Sequence, residues 1–147
     1  MSVKNEIANK VSELSRENLI LRNKLEELEK SQDKKIDDIF CEFLTVIDTF
    51  EKAEKTIKER ELDKDETARR AINRLLNAKN KALFVLEKFD VKRIDFKNNK
   101  SVEELCEVAD TEPDPDRETG DIVSIEKEGY TRNGHLIRSA EVIIVKN

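Results

Sequence analysis

Between Val3 and about Arg60 the chain has neither glycine nor proline. Glu, Lys, Leu and Ile dominate there, residue types that favour unbroken helix. A helix of about 60 residues outruns what one globular core can cover, so a partner helix is implied. With Val11, Asn18 and Leu25 at a and Ile7, Leu14, Leu21 and Leu28 at d, the apolar seam repeats every ~3.5 residues, as in a coiled coil. Asn18 in that seam costs stability but favours a two-stranded, in-register pair, because each Asn can bond its twin. The alternative is a surface Asn in a shifted register.

The pattern then slips. Gln32 and Lys35, next in phase, are polar, and a new phase opens with Ile36, Phe40, Phe43, Ile47, Phe50 and Ile57. The four residues from Gln32 to Ile36 amount to a stutter, which locally unwinds a supercoil. Ile39, Leu44 and Val46 broaden the second stripe into one suited to a bundle. Glu61 to Asp65 reads as a break, with Asp63 as the cap of a second helix and Glu66 at its N3 position. Ile72, Leu75, Leu76, Leu83, Leu86 and Phe89 mark one face of that helix, and Ala68, Ala78 and Ala82 allow close approach. Two helices with a short connection pack antiparallel, and two such hairpins make a four-helix bundle if the first helix dimerises in parallel.

After the helices the period changes. Val91 to Phe96 alternates apolar and polar, as a half-buried strand does. Asn133-Gly134 signals a two-residue turn, because type I′ needs positive φ at both central positions. Tyr130 and Thr131 lead in, Leu136, Ile137 and Val142 to Val145 follow, and Ile122 to Ile125 reads as the opening of the partner strand. The expected tip carries Arg132, Asn133 and His135. Between Asp110 and Asp121 lie six acids, one Arg and both prolines. Their spacing invites a calcium loop, but Pro115 stands where the sharp turn needs Gly and no bidentate Glu closes it. A solvated acidic loop is expected instead.

Composition narrows the function. Charged residues are 41% of the 147 and aromatics 5%, which suits solvated helices over a small core and not a deep catalytic pocket. The single His falls at a hairpin tip, no Gly-rich loop follows a strand, and the two cysteines are far apart, so neither enzyme nor cofactor nor metal site is expected. A net charge of −5 speaks against nucleic acid. The start lacks the apolar run of a signal peptide, and the longest apolar run, Val142 to Val145, is too short for a bilayer. Reduced thiols and a cytoplasmic setting are expected.

Gly129-Tyr130-x-x-Asn133-Gly134-x-x-Ile137-Arg138-x-Ala140-x-Val142 resembles the closing signature of the GrpE nucleotide exchange factors, which serve DnaK-type heat-shock chaperones. Glu42 to Ala53 is similar to the segment that opens the GrpE bundle, with Thr45 where many members carry Pro. Val85 to Val91 is similar to the helix end, with Asp90 where Gly is common; Arg74 also stands where Gly is frequent. The segment Ser101 to Val108 departs most from the family pattern.

The resemblance, over roughly residues 17 to 147, implies an α+β fold. Residues 1–34 would form a coiled-coil dimerisation stalk, 35–90 the helical hairpin of a dimeric four-helix bundle, and 91–147 a small all-β wing. It implies no cofactor, and as partners the ATPase domain of a DnaK-type chaperone and a second copy of the chain. Wing contacts carried over are Arg132, Asn133, His135 and Arg138, with His135 where Arg is frequent and Ser139 where Pro or Ala is common. Helix contacts are Arg22 and Lys30, whose alternative is ordinary exposed charge. Dimer contacts are Val11, Leu14, Asn18, Leu21, Leu25, Leu28, Phe43, Ile47 and Phe50. Two rival readings stay open: a coiled-coil scaffold or holdase docking an unrelated partner, and a nucleic-acid binder using the Arg132–Arg138 tip.

Overall fold

The computed structural model describes residues 2–147. Met1, the first residue of the expected stalk, lies outside the described residues. Helix α1 runs from Val3 to Glu59 and is unbroken through residues 32–36, where the apolar phase slips. The chain divides into two compact units, residues 1–39 and Phe40–Asn147.

The first unit is helix alone. Its apolar row is uncovered in the single chain: Ile7, Val11, Leu14, Leu21, Leu25 and Leu28 are each more than half exposed. Leu19 and Ile20 are exposed outside that row. A lone helix is marginal in water without something to bury its apolar stripe.

The second unit holds the rest of α1, helix α2 (Glu66–Lys88), and strands β1 (Val91–Arg93), β2 (Cys106–Glu112), β3 (Ile122–Lys127), β4 (Tyr130–Arg132), β5 (His135–Arg138) and β6 (Ala140–Val145). The cap of α2 is Asp65, not Asp63: its carboxylate accepts the Ala68 N–H at 3.1 Å. Glu66 is therefore the first helical residue, and the helix begins two residues later than the capping-box spacing suggested. At the other end Asp90 has φ +59, the left-handed position that follows many helices. Gly is preferred there for want of a Cβ, and Asp is among the few residues that tolerate it.

On α1, Phe40, Leu44 and Ile47 recur at helical spacing and meet Leu86 of α2, Val91 of β1, Tyr130 of β4 and Ile137 of β5 in one cluster. Leu44 and Ile47 are wholly buried. Lys79, absent from the expected apolar face of α2, is only 8% exposed, because its ammonium meets Glu54 of α1 at 2.5 Å. Leu75 and Phe89, expected on that face, remain mostly exposed in the single chain.

The strands form two three-stranded sheets, ordered β1-β4-β5 and β2-β6-β3. Asn133 and Gly134, with φ +52 and +82, turn β4 antiparallel into β5, as the Asn-Gly pair predicts. Ile122–Ile125 runs antiparallel to Val142–Ile144, as expected, but in a separate sheet from β4 and β5. It belongs to β3 and pairs antiparallel with β6, while β2 pairs parallel with the other side of β6. The division falls at Gly129 and Ser139, where the chain passes from one sheet to the other. A Cβ on Gly129 would lie 2.5 Å from the Ala140 nitrogen and 2.7 Å from Ile94 Cδ1, so only glycine fits. Ile94, Phe96, Cys106, Ile122, Ala140 and Val142 make the second core.

The acidic stretch is more ordered than a plain solvated loop. Asp110 to Glu112 are the end of β2. Beyond them, Asn147 accepts the Asp114 N–H through Oδ1 at 2.9 Å and donates from Nδ2 to the Arg117 carbonyl at 2.8 Å. Arg117 in turn donates to the Ile122 carbonyl, so most of the acids point outward from a tethered frame. Among the described residues no helix is long and apolar enough to cross a membrane.

Candidate functional site

The β4–β5 hairpin presents Asn133, Gly134, His135 and Leu136 to solvent. Its turn is tied to the chain just past α2, since the Asn133 N–H donates to the Asp90 carbonyl at 3.2 Å. Two of the four residues expected at the tip are not open. Arg132 is 7% exposed, within the β1-β4-β5 sheet opposite Val91 and His135. Arg138 turns inward to α1: its two terminal nitrogens donate to Asp48 Oδ2 and Oδ1 at 2.7 and 2.8 Å. It also donates to the Glu128 carbonyl and lies 5.3 Å from the centre of the Tyr130 ring. A guanidinium held by a carboxylate fork, a carbonyl and an aromatic face has little left to offer a partner.

Asp48 is one of a set. Asp48, Glu51 and Glu54 recur every three residues along α1, and each takes a cation from a different element. Arg138 of β5 meets Asp48, Arg93 of β1 meets Glu51, and Lys79 of α2 meets Glu54. Arg93 also donates from Nε to the Tyr130 hydroxyl at 3.3 Å. The Lys79 hydrogen bond holds the Glu54 carboxyl below its ordinary value, against a smaller opposing effect of burial. Burial pushes the Glu128 carboxyl up despite the pull of Arg93. None of these three acids was singled out from sequence as a site. The only available signal was their spacing, which on a helix this charged looks like a solvated face.

On α1, Arg22 and Lys30 are exposed, as are Asn18 and the apolar residues of the seam around it. Phe43 is 42% exposed and Phe50 half-buried, both open to a neighbour. Ile47 is not: it is wholly covered by its own chain and has no surface to give a second copy. Helical phase explains the exchange, since Ile47 turns toward Tyr130 and Val91. The open apolar surface lies beside it. Val46, Phe50, Ala53 and Ile57 of α1 and Ile72, Leu75 and Leu76 of α2 line a groove of about 430 Å³. Thr49 also borders it, with its hydroxyl turned back to the Thr45 carbonyl.

The two cysteine thiols do not meet. Cys41 donates its thiol to the Ile137 carbonyl and Cys106 to the Val102 carbonyl, each at 3.2 Å in a different core. Among the described residues no three His, Cys, Asp or Glu side chains are grouped to hold a metal ion. The exposed features are surfaces: a hairpin, an apolar groove and a helical seam.

Residues 2–146 match the family model described as GrpE. The chain belongs to the GrpE family. It is 35% identical to Protein GrpE of Francisella tularensis over 106 residues, 72% of this chain and 52% of that protein. It is 27% identical to Protein GrpE of Chromohalobacter salexigens over 119 residues, 81% of this chain and 54% of that one. The chain thus spans about half the length of the curated relatives it matches. Family membership fits the order of elements found here: a long helix, a second helix and a small β region, the α+β arrangement the sequence implies.

Proposed function

We propose that this GrpE chain is an adenine-nucleotide exchange factor, a co-chaperone that binds the ATPase domain of a DnaK-type chaperone as a homodimer. In this reading it catalyses no reaction and acts in the cytoplasm, supporting protein folding and the stress response. The observation that carries the reading is the family match across residues 2–146. The exposed seam from Ile7 to Leu28 and the groove between α1 and α2 support pairing with a second copy, since apolar rows of that length are seldom left in water. Asn133 and His135, joined by Leu136, would meet the chaperone from the hairpin, and Arg22 and Lys30 from the helix.

Nucleotide exchange needs no catalytic group. A protein that binds the open nucleotide cleft more tightly than the closed one shifts the population toward open. By reciprocity, nucleotide then weakens the grip of the factor by the same ratio. A coupling of about 3 kcal/mol corresponds to roughly 150-fold in affinity, within reach of an ordinary protein interface.

Release of a fluorescent ADP from DnaK-type chaperones of the same organism, with and without this chain, tests the reading. Faster release is expected, and slower acceleration by His135→Ala with the dimer intact. No acceleration across the panel would overturn the proposal and leave the scaffold or holdase reading. Salt-sensitive retention on DNA or RNA would favour a nucleic-acid binder.

A further inference from the structure

We infer that Asp48 and Glu51 are positioning residues that fix the orientation of the β domain on α1, so that force at the hairpin reaches the helix instead of being absorbed at the α2–β1 junction. The inference rests on the exchange-factor reading for its functional consequence and on geometry alone for its structural one.

The β domain follows α2 through one covalent link, at Phe89 and Asp90. One link, even with the Asn133–Asp90 bond beside it, leaves rotation free. The shared core of Leu44, Ile47, Val91 and Tyr130 resists separation, but its apolar contacts do not set an angle as a paired charged bond does. Direction comes from bonds across the interface: the Cys41 thiol on the Ile137 carbonyl and, with full charges, the two arginine clamps. Arg138 joins Asp48 through two parallel bonds, a geometry that sets an angle as well as a distance. Arg93 joins Glu51 one helical turn further on and is braced by the Tyr130 hydroxyl. Link and clamps together are three separate attachments, with the neutral Cys41–Ile137 bond a weaker fourth.

The surroundings leave this work to the clamps. The clamps border an open polar cleft of about 370 Å³ between α1 and the β domain, with Asp48, Glu51, Lys52 and Lys55 on one side and Glu126 and Glu141 on the other. The Asp48–Arg138 pair is the better shielded, with side chains 17% and 13% exposed, whereas Glu51 and Arg93 are about one-third exposed. Asp48 should therefore matter more than Glu51, because water competes less for it.

Two measurements on the full chain decide the matter. The first is ADP release from a DnaK-type chaperone as a function of factor concentration, for wild type, Asp48→Asn, Asp48→Glu and Glu51→Gln. Asp48→Asn should lower the maximal rate about tenfold, with the half-saturating concentration little changed. Asp48→Glu should recover most of the loss, and Glu51→Gln should show a smaller one. The second is pulsed EPR between spin labels on Thr56→Cys and Lys146→Cys, in a Cys41→Ser, Cys106→Ser background diluted with unlabelled chain. Asp48→Asn should broaden a distance distribution that is narrow with Asp48 present. Equal widths and equal maximal rates with Asn at position 48 would overturn the inference. If wild type fails to speed release, the exchange-factor reading falls, while the EPR widths still decide whether the clamps orient the domain. If Asp48→Asn fails to fold, Glu51→Gln carries both measurements at the more exposed clamp.

Discussion

The Lys79 ammonium lies 2.5 Å from Glu54 Oε2 and is almost fully enclosed where α2 faces α1. Taking away the amine leaves a carboxylate partly shielded from water, whereas an apolar stem can occupy the same space. Lys79→Ala should therefore cost about 1–3 kcal/mol, and Lys79→Met, which keeps the packing of the stem but not the amine, somewhat less, measured by urea unfolding at neutral pH.

The same pair gives a pH dependence. Glu54 is held below its ordinary value of 4.5 by Lys79, so the folded state releases this proton more readily than the unfolded chain. Its contribution is complete above the ordinary value and is lost as pH falls through the lower folded one. The Glu128 carboxyl, raised by burial, behaves oppositely: its contribution is present at low pH and lost as pH rises through its folded value. Glu128→Gln should remove the second effect, and Lys79→Met should flatten the first, in unfolding midpoints followed from pH 6 down to about 3.

Gly129 and Gly134 make a contrasting pair. A methyl at Gly129 meets backbone and core, so Gly129→Ala should cost about 3 kcal/mol or more and disrupt the β region. At Gly134 nothing lies within 4 Å of an added Cβ, and only the positive φ is unfavourable. Gly134→Ala should cost about 1 kcal/mol. Thermal unfolding followed through Tyr130 absorbance would show the difference.

At the start of α2 the two aspartates separate cleanly. Asp65→Ala should cost about 1 kcal/mol because it removes the bond to the Ala68 N–H. Asp63→Ala should change stability little. Equal effects in urea titrations would place the cap elsewhere.

Pairing through the seam predicts a concentration-dependent helix. Leu21→Asp should shift sedimentation toward the monomer and lower the helical ellipticity contributed by the front half of α1. Asn18→Leu should raise the unfolding temperature and loosen the choice of oligomer.

The helices and the Asn-Gly hairpin were legible because their signals are local: an absence of breakers, a 3.5-residue repeat and a dipeptide with one favoured turn. Ile122–Ile125 pairs with Val142–Ile144 as expected, but the division of these strands into two sheets was not legible, because strand pairing is non-local. Ser139, where the chain crosses between sheets, reads in sequence like an ordinary strand residue, and Gly129 marks a bend without saying where the chain goes next. Ile47 illustrates a second limit, since an apolar periodicity shows that a residue is covered but not which neighbour covers it. Arg138 illustrates a third. Ninety positions separate it from Asp48, and nothing in either neighbourhood announces that the fold brings them together.

The strand order β2-β6-β3 has a consequence during synthesis. The middle strand of that sheet is translated after both of its flanks. Until residues 140–145 leave the ribosome, Cys106–Glu112 and Ile122–Lys127 have no strand to lie against, and their open edges are exposed to other nascent chains. Glu107, Asp110 and Glu112 place exposed charge along β2, the kind of edge that disfavours pairing with a foreign strand both before and after β6 is in place.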